Sequence, residues 1–106
     1  MITIDDFCAV DIRVARIIEV LPFPEARKPS YRVTLDCGAE IGIKKSCAQL
    51  VANYTPADLQ GRLVLCVVNM PARQIGPAIS QALICGVPDK NGNCVQTIDE
   101  MGELHQ

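Results

Sequence analysis

Along residues 11–21 apolar and polar side chains alternate. Ile12, Val14, Ile18 and Val20 occupy even positions, and Asp11, Arg13 and Glu19 occupy odd ones. A period of two is that of a strand with one face buried. Arg16 and Ile17 break the phase. This predicts a bulge or sharp coil near Ala15, where the first strand of a small closed barrel must bend. A corner containing Pro22, Pro24 and Pro29 follows. Tyr31, Val33 and Leu35 then alternate with Arg32, Thr34 and Asp36, so a second strand returns.

The remaining elements are shorter. Thr3 with Asp6 three residues later predicts an N-capped helix over Ile4 to Cys8, with Phe7 packing inward. Cys37-Gly38-Ala39-Glu40 is a turn signal. Ile41 to Ser46 reads as a third strand, with Gly42 at a bulge. Thr55, Pro56, Asp58 and Gly61 predict a short helix with a cap, a first-turn proline and a glycine stop. Arg62 to Val68 is apolar on both faces and reads as a fourth strand covered on both sides. Asn69 to Pro77 is expected to be a loop, and Ala78 to Cys85 a fifth strand. Asn91-Gly92 is a hairpin signal before a short last strand over Val95 to Ile98. The polar tail, Asp99 to Gln106, is expected to fray. Five strands with a helix between the third and fourth is the order of an OB-fold, an all-β, five-stranded Greek-key barrel with short helices.

Length and composition bound this picture. With 106 residues, 49% of them hydrophobic, the chain suits one domain with one core. The expected barrel covers about 10–86, with extensions at 1–9 and 87–106. Charge is segregated: residues 13–73 carry a net +4, while residues 1–12 and 74–106 carry −3 each. A basic middle permits an anionic partner without demanding one, and a strong nucleic-acid binder is usually more basic.

Cys8, Cys37, Cys47, Cys66, Cys85 and Cys94 contain no C-x-x-C pair, and the one histidine is His105. Zinc spacing is therefore absent, and no metal or cofactor is expected. Met1 to Ala9 is acidic and lacks an apolar signal core, and the run Leu63 to Val68 is too short to span a bilayer. The expectation is a reduced cytoplasmic protein with six free thiols and no membrane insertion. Ser46, Ser80 and the cysteines have no neighbouring histidine to activate them, and the glycines form no phosphate loop, so catalysis is not expected.

Four ordered stretches carry a family resemblance: Asp11–Val14, Phe23–Pro29, Glu40–Ser46 and Pro71–Pro77. Together they resemble the CsaA family, a branch of the tRNA-binding-domain proteins that also include the C-terminal appendix of methionyl-tRNA synthetases. The resemblance runs from about Phe7 to about Asp89. It implies an OB-fold and a homodimer built from the chain ends. It also implies a bacterial cytoplasmic chaperone role in protein export, with unfolded preproteins and an export ATPase as partners. The wider family binds tRNA by shape. Two features depart from the family: Ala15 stands where glycine is frequent, and Met101-Gly102-Glu103-Leu104 replaces a terminal turn and strand.

Two residue sets follow. A polypeptide groove would use Phe23, Pro24, Arg27, Lys28, Met70, Arg73 and Ile75, provided the 23–31 corner and the 70–77 loop are neighbours. That loop carries one cation among apolar residues, which suits unfolded peptide better than phosphate. The alternative, a tRNA surface, would use Lys28, Lys44, Lys45, Ser46, Arg73, Ser80 and Gln81. Alternation puts Lys44 and Lys45 on opposite faces, so at most one lines a groove. Ile2, Ile4, Phe7, Val87, Val95 and Ile98 lie outside the minimal barrel. They are too apolar to remain exposed together, which predicts a two-fold dimer interface.

Overall fold

The longest strand, β1 (Ile12–Pro22), holds the fold together. In the computed structural model, which describes residues 1–96, it runs antiparallel to β2 (Tyr31–Asp36) on one side and β4 (Leu63–Val67) on the other. Outside these lie β3 (Ile43–Ala48) and β7 (Leu83–Ile84), giving the sheet order β3-β2-β1-β4-β7. This sheet curls into the expected five-stranded, nearly closed barrel. Helix α1 (Ile4–Cys8) precedes it, and α2 (Pro56–Leu59) connects β3 to β4. Hairpins β5 (Arg73–Ile75)–β6 (Ala78–Ser80) and β8 (Gly86–Pro88)–β9 (Cys94–Gln96) complete the chain.

The buried face of β1 corrects the alternation read from sequence. Ala15 and Ile17 are the inward residues, opposite Val64 and Leu35, whereas Ile12, Val14 and Ile18 are exposed. The bulge exists, but it lies between Ile17 and Glu19 rather than near Ala15. It shifts the phase so that Val20 joins Val33 inside. Arg16 points outward and donates to the Gly61 carbonyl at 2.7 Å. Leu50, Leu59, Cys66 and Ile84 complete the core with these residues. Each fully buried aliphatic side chain contributes roughly 1.5–3 kcal/mol of transfer free energy.

Both helices are built as their sequences require. Thr3 and Asp6, and again Thr55 and Asp58, form reciprocal capping boxes. Leu59 from α2 is fully buried, so this short helix plugs the core. Phe7 does not pack inward: it is 54% exposed, because α1 has no buried residue. Asn69 fixes the end of α1, accepting from the Asp11 N–H and donating to the Ala9 carbonyl.

Three boundaries differ from expectation. β3 starts at Ile43 because Gly42, at φ +85°, belongs to the preceding turn, where its carbonyl accepts the Cys37 N–H. Residues 69–77 are not wholly loop, since β5 forms a hairpin with β6 around Gly76-Pro77. The expected fifth strand breaks at Gln81-Ala82 into β6 and β7. The Asn91-Gly92 turn does form a hairpin, with Asp89 accepting the N–H groups of Asn91 and Asn93. Ile98 and the tail lie outside the described residues. No helix among the described residues is long and apolar enough to cross a membrane.

Candidate binding groove

Two segments form the walls of a groove of about 580 Å³. From the corner after β1 come Ala26, Arg27 and Lys28. From the approach to the β5–β6 hairpin come Met70, Pro71, Arg73 and Ile75. The floor is the end of β3 with Gln49 and Leu50, and the segment Ser80 to Ile84. The neighbourhood of corner and loop expected from sequence is therefore present. Arg27, Lys28, Arg73 and Met70 are exposed, and Ile75 is half-buried.

The floor is the barrel's seam. β3 and β7 are the two ends of the sheet and form no ladder with each other. Gln81 and Ser80 fasten them. The Gln81 N–H donates to the Lys45 carbonyl at 2.7 Å, and the Gln81 side-chain carbonyl accepts the Lys45 N–H at 2.9 Å. The Ser80 hydroxyl accepts the Cys47 N–H at 3.2 Å. A broken strand leaves main-chain groups on β3 without a ladder partner, and these side chains satisfy them.

The corner and the hairpin meet at Phe23. Its side chain is 3% exposed, and Arg32 lies over its ring, 5.7 Å from the centroid. Gly76, at φ +55°, brings the hairpin tip against this ring, since a β-carbon there would lie 3.9 Å from it. Phe23 therefore supports the groove from behind and does not line it, a correction to the peptide set. Pro24 lies in a separate hollow of about 350 Å³ on the other side of the corner, shared with Arg27.

Of the tRNA set, Lys28, Arg73, Ser80 and Gln81 line the groove. Lys44 is half-buried and lines neither this groove nor its neighbour. Lys45 faces an adjacent hollow of about 460 Å³ beneath the hairpin, where its ammonium donates to the Thr34 hydroxyl at 2.7 Å. Lys44 and Lys45 thus separate as alternation predicted. Ser46 is 2% exposed and borders the same hollow as Lys45, not the groove.

The groove has one sign of charge. Arg27, Lys28 and Arg73 make no ion pair among the described residues, whereas Arg13 pairs with Asp11 and Glu40. Among the described residues no carboxylate lines the groove, and Met70, Pro71, Ile75, Leu83 and Ile84 give it apolar surface. Sequence reasoning missed the floor residues Cys47, Gln49 and Leu50. The third strand was expected to end at Ser46, whereas β3 runs on through Cys47 to Ala48, and Gln49 and Leu50 follow it. Cys47 belongs to both cavities, and burial pushes its thiol up, opposed by the charge of Arg32. No group of three or more His, Cys, Asp or Glu side chains among the described residues is placed to hold a metal.

Comparison with known proteins agrees with this architecture. Residues 12–105 match the family model described as "Putative tRNA binding domain". The CsaA chaperone protein of Picrophilus torridus superposes with a TM-score of 0.88 at 39% identity, covering 98% of this chain and 95% of that one. The chaperone CsaA of Bacillus anthracis superposes with a TM-score of 0.81 at 36% identity, covering 91% and 86%. Methionine–tRNA ligase 1 of Sorangium cellulosum is 38% identical over 88 residues, 83% of this chain. The chain spans only 12% of that ligase.

Proposed function

The chain belongs to the tRNA-binding-domain family, and from that premise we propose that it is a CsaA-like chaperone that binds unfolded polypeptide without catalysis. The observation that carries the reading is the groove itself, about 580 Å³, in which Met70, Pro71, Ile75, Leu50, Leu83 and Ile84 give apolar surface beside polar Gln49, Ser80 and Gln81, and the cations among the described residues are Arg27, Lys28 and Arg73. An extended chain gains from burying apolar side chains in such a groove, and the cations then orient it. The structural likeness to two CsaA chaperones over nearly their full length supports this.

In this proposal the protein acts in the cytoplasm as a homodimer, with exported preproteins as clients and the export ATPase as a further partner. The interface uses Ile2, Ile4, Phe7 and Val87, which are 72%, 74%, 54% and 50% exposed, together with half-buried Val95. Apolar exposure of this extent is what association removes.

A second reading, structure-specific tRNA binding, rests on Arg27, Lys28 and Arg73, which make no ion pair among the described residues, and on the family model. Titration with an unfolded preprotein segment and with bulk tRNA, side by side at physiological salt, separates the two. Saturable peptide binding with weak, salt-sensitive tRNA binding is the expected result. Tight tRNA binding with no measurable peptide binding reverses the order.

A further inference from the structure

Two thiols meet inside the barrel, away from the groove. Cys37, just after β2, is 5% exposed, and Cys66, in the middle of β4, is fully buried. β1 lies between β2 and β4 in the sheet, so these residues approach through the core and not along a ladder. Their sulfurs are 3.8 Å apart, and both are free thiols. Closing that distance to a bond of about 2.0 Å requires side-chain rotation and a small backbone adjustment.

We infer that Cys37 and Cys66 form an oxidisable dithiol, which closes to an internal disulfide when the protein meets an oxidant of the peroxide class. Cys37 reacts first. It precedes a turn bounded by Gly38 and Gly42, both at positive φ, and it is the less buried of the two. Its thiol loses a proton and attacks one peroxide oxygen; the O–O bond breaks, one water leaves, and Cys37 carries a sulfenic acid. The Cys66 sulfur then attacks the Cys37 sulfur. The S–O bond breaks, and the second water leaves with the Cys66 proton. Two thiols lose two electrons, and one hydrogen peroxide becomes two waters.

The surroundings set the character of this pair. Burial, then the neighbouring Cys37 sulfur, pushes the Cys66 thiol up to about 12, so it stays protonated at neutral pH, is not the thiol that meets peroxide first, and gives up its proton only as it attacks the Cys37 sulfur beside it. Burial also excludes bulky disulfides such as oxidised glutathione. The bridge joins residues 29 positions apart and ties the β2–β3 turn to β4. It constrains the unfolded chain and leaves the groove walls untouched, since neither thiol lines them.

The test treats the reduced full chain with hydrogen peroxide, counts thiols in denaturant and maps bridges by mass spectrometry. Two of the six thiols should disappear, the mass should fall by about 2 Da, and the bridge should map to Cys37 and Cys66. The thermal midpoint should rise by on the order of 10 °C and return on reduction. Cys37→Ala should form no bridge to Cys66, whereas Cys85→Ala, which removes the third nearby thiol, should keep the 37–66 bridge. Six remaining thiols, a bridge between any other pair, or a Cys37 sulfinic acid without a bridge would each overturn the inference. The mapping on the unaltered protein decides the matter even where a variant folds poorly.

Discussion

Gln81 and Lys45 exchange two hydrogen bonds across the barrel seam, one through the Gln81 main chain and one through its side chain. A single residue thus does what a ladder of strand pairs does elsewhere in the sheet. Ser80 adds a third bond to the next outward-facing amide of β3. The walls of the groove are anchored on this fastening.

Removing the side-chain half of the exchange should therefore weaken the barrel. Gln81→Ala leaves the Lys45 N–H without its partner, at a cost of about 1–2 kcal/mol. The thermal midpoint should fall by roughly 4–8 °C per kcal/mol for a domain of this size. An unchanged midpoint in calorimetry, with tRNA affinity reduced, would show instead that Gln81 is a ligand contact.

The ligand question has its own signature in variants. For a peptide ligand, Met70→Asp and Ile75→Asp should each weaken binding at least tenfold, because a charge enters a desolvated contact. Arg73→Ala should matter less, and affinity should change little with salt. For tRNA, Arg73→Ala and Lys28→Ala should each reduce the slope of log affinity against log salt by about one. Fluorescence anisotropy over a salt series distinguishes the two patterns.

Association should depend on the N-terminal helix. Phe7→Asp places a charge on the exposed apolar face of α1, at a residue that is 54% exposed. Sedimentation at micromolar concentration should show a dimer for the parent chain and a monomer for the variant. The monomeric variant should unfold at a similar temperature if Phe7 serves only the interface.

Stability should fall on both sides of neutrality for separate reasons. Hydrogen bonds from the Thr55 backbone and hydroxyl hold the Asp58 carboxyl below its ordinary 3.8, and amides of Asn93 and Asn91 do the same for Asp89. A lowered folded value contributes stability above the unfolded value, and that contribution disappears as pH falls through the folded one. The acid limb should thus lie below 3.8, and Asp58→Asn should make it shallower. The Cys66 thiol is raised, so its contribution is complete below 9.0 and is lost as pH rises toward about 12. Cys66→Ala should flatten that alkaline limb. Thermal melts across pH provide the measurement.

Both helix caps and the last hairpin turn were legible because each depends on neighbours in sequence: Thr3 with Asp6, Thr55 with Asp58, Asn91 with Gly92. The inward face of β1 was not. Its outer positions Ile12, Val14 and Ile18 are more hydrophobic than inward Ala15, so alternation alone selected the wrong face. Side-chain size misled there, because Ala15 faces Val64 across the ladder in the closely packed interior. The hairpin at residues 73–80 did leave a signal, Gly76-Pro77 between Ile75 and the apolar pair Ala78-Ile79, which a turn reading would have used. The role of Gln81 left none, because its partner lies 36 residues away. Phe23 sat in the right motif but faces away from the groove, a distinction that depends on where the hairpin tip comes to rest.

The hairpin tip at Gly76 lies beside the Phe23 ring, close enough that an added β-carbon would touch the ring edge, so the hairpin and the corner after β1, the two rims of the groove, adjoin there. The position of the hairpin tip therefore depends on the side chain at position 23 as well as on the hairpin itself. Changing the width of this opening to admit a different partner therefore requires paired changes. A residue added to the hairpin tip alone would lose its seat on the ring, and a smaller side chain at position 23 would let both rims collapse together.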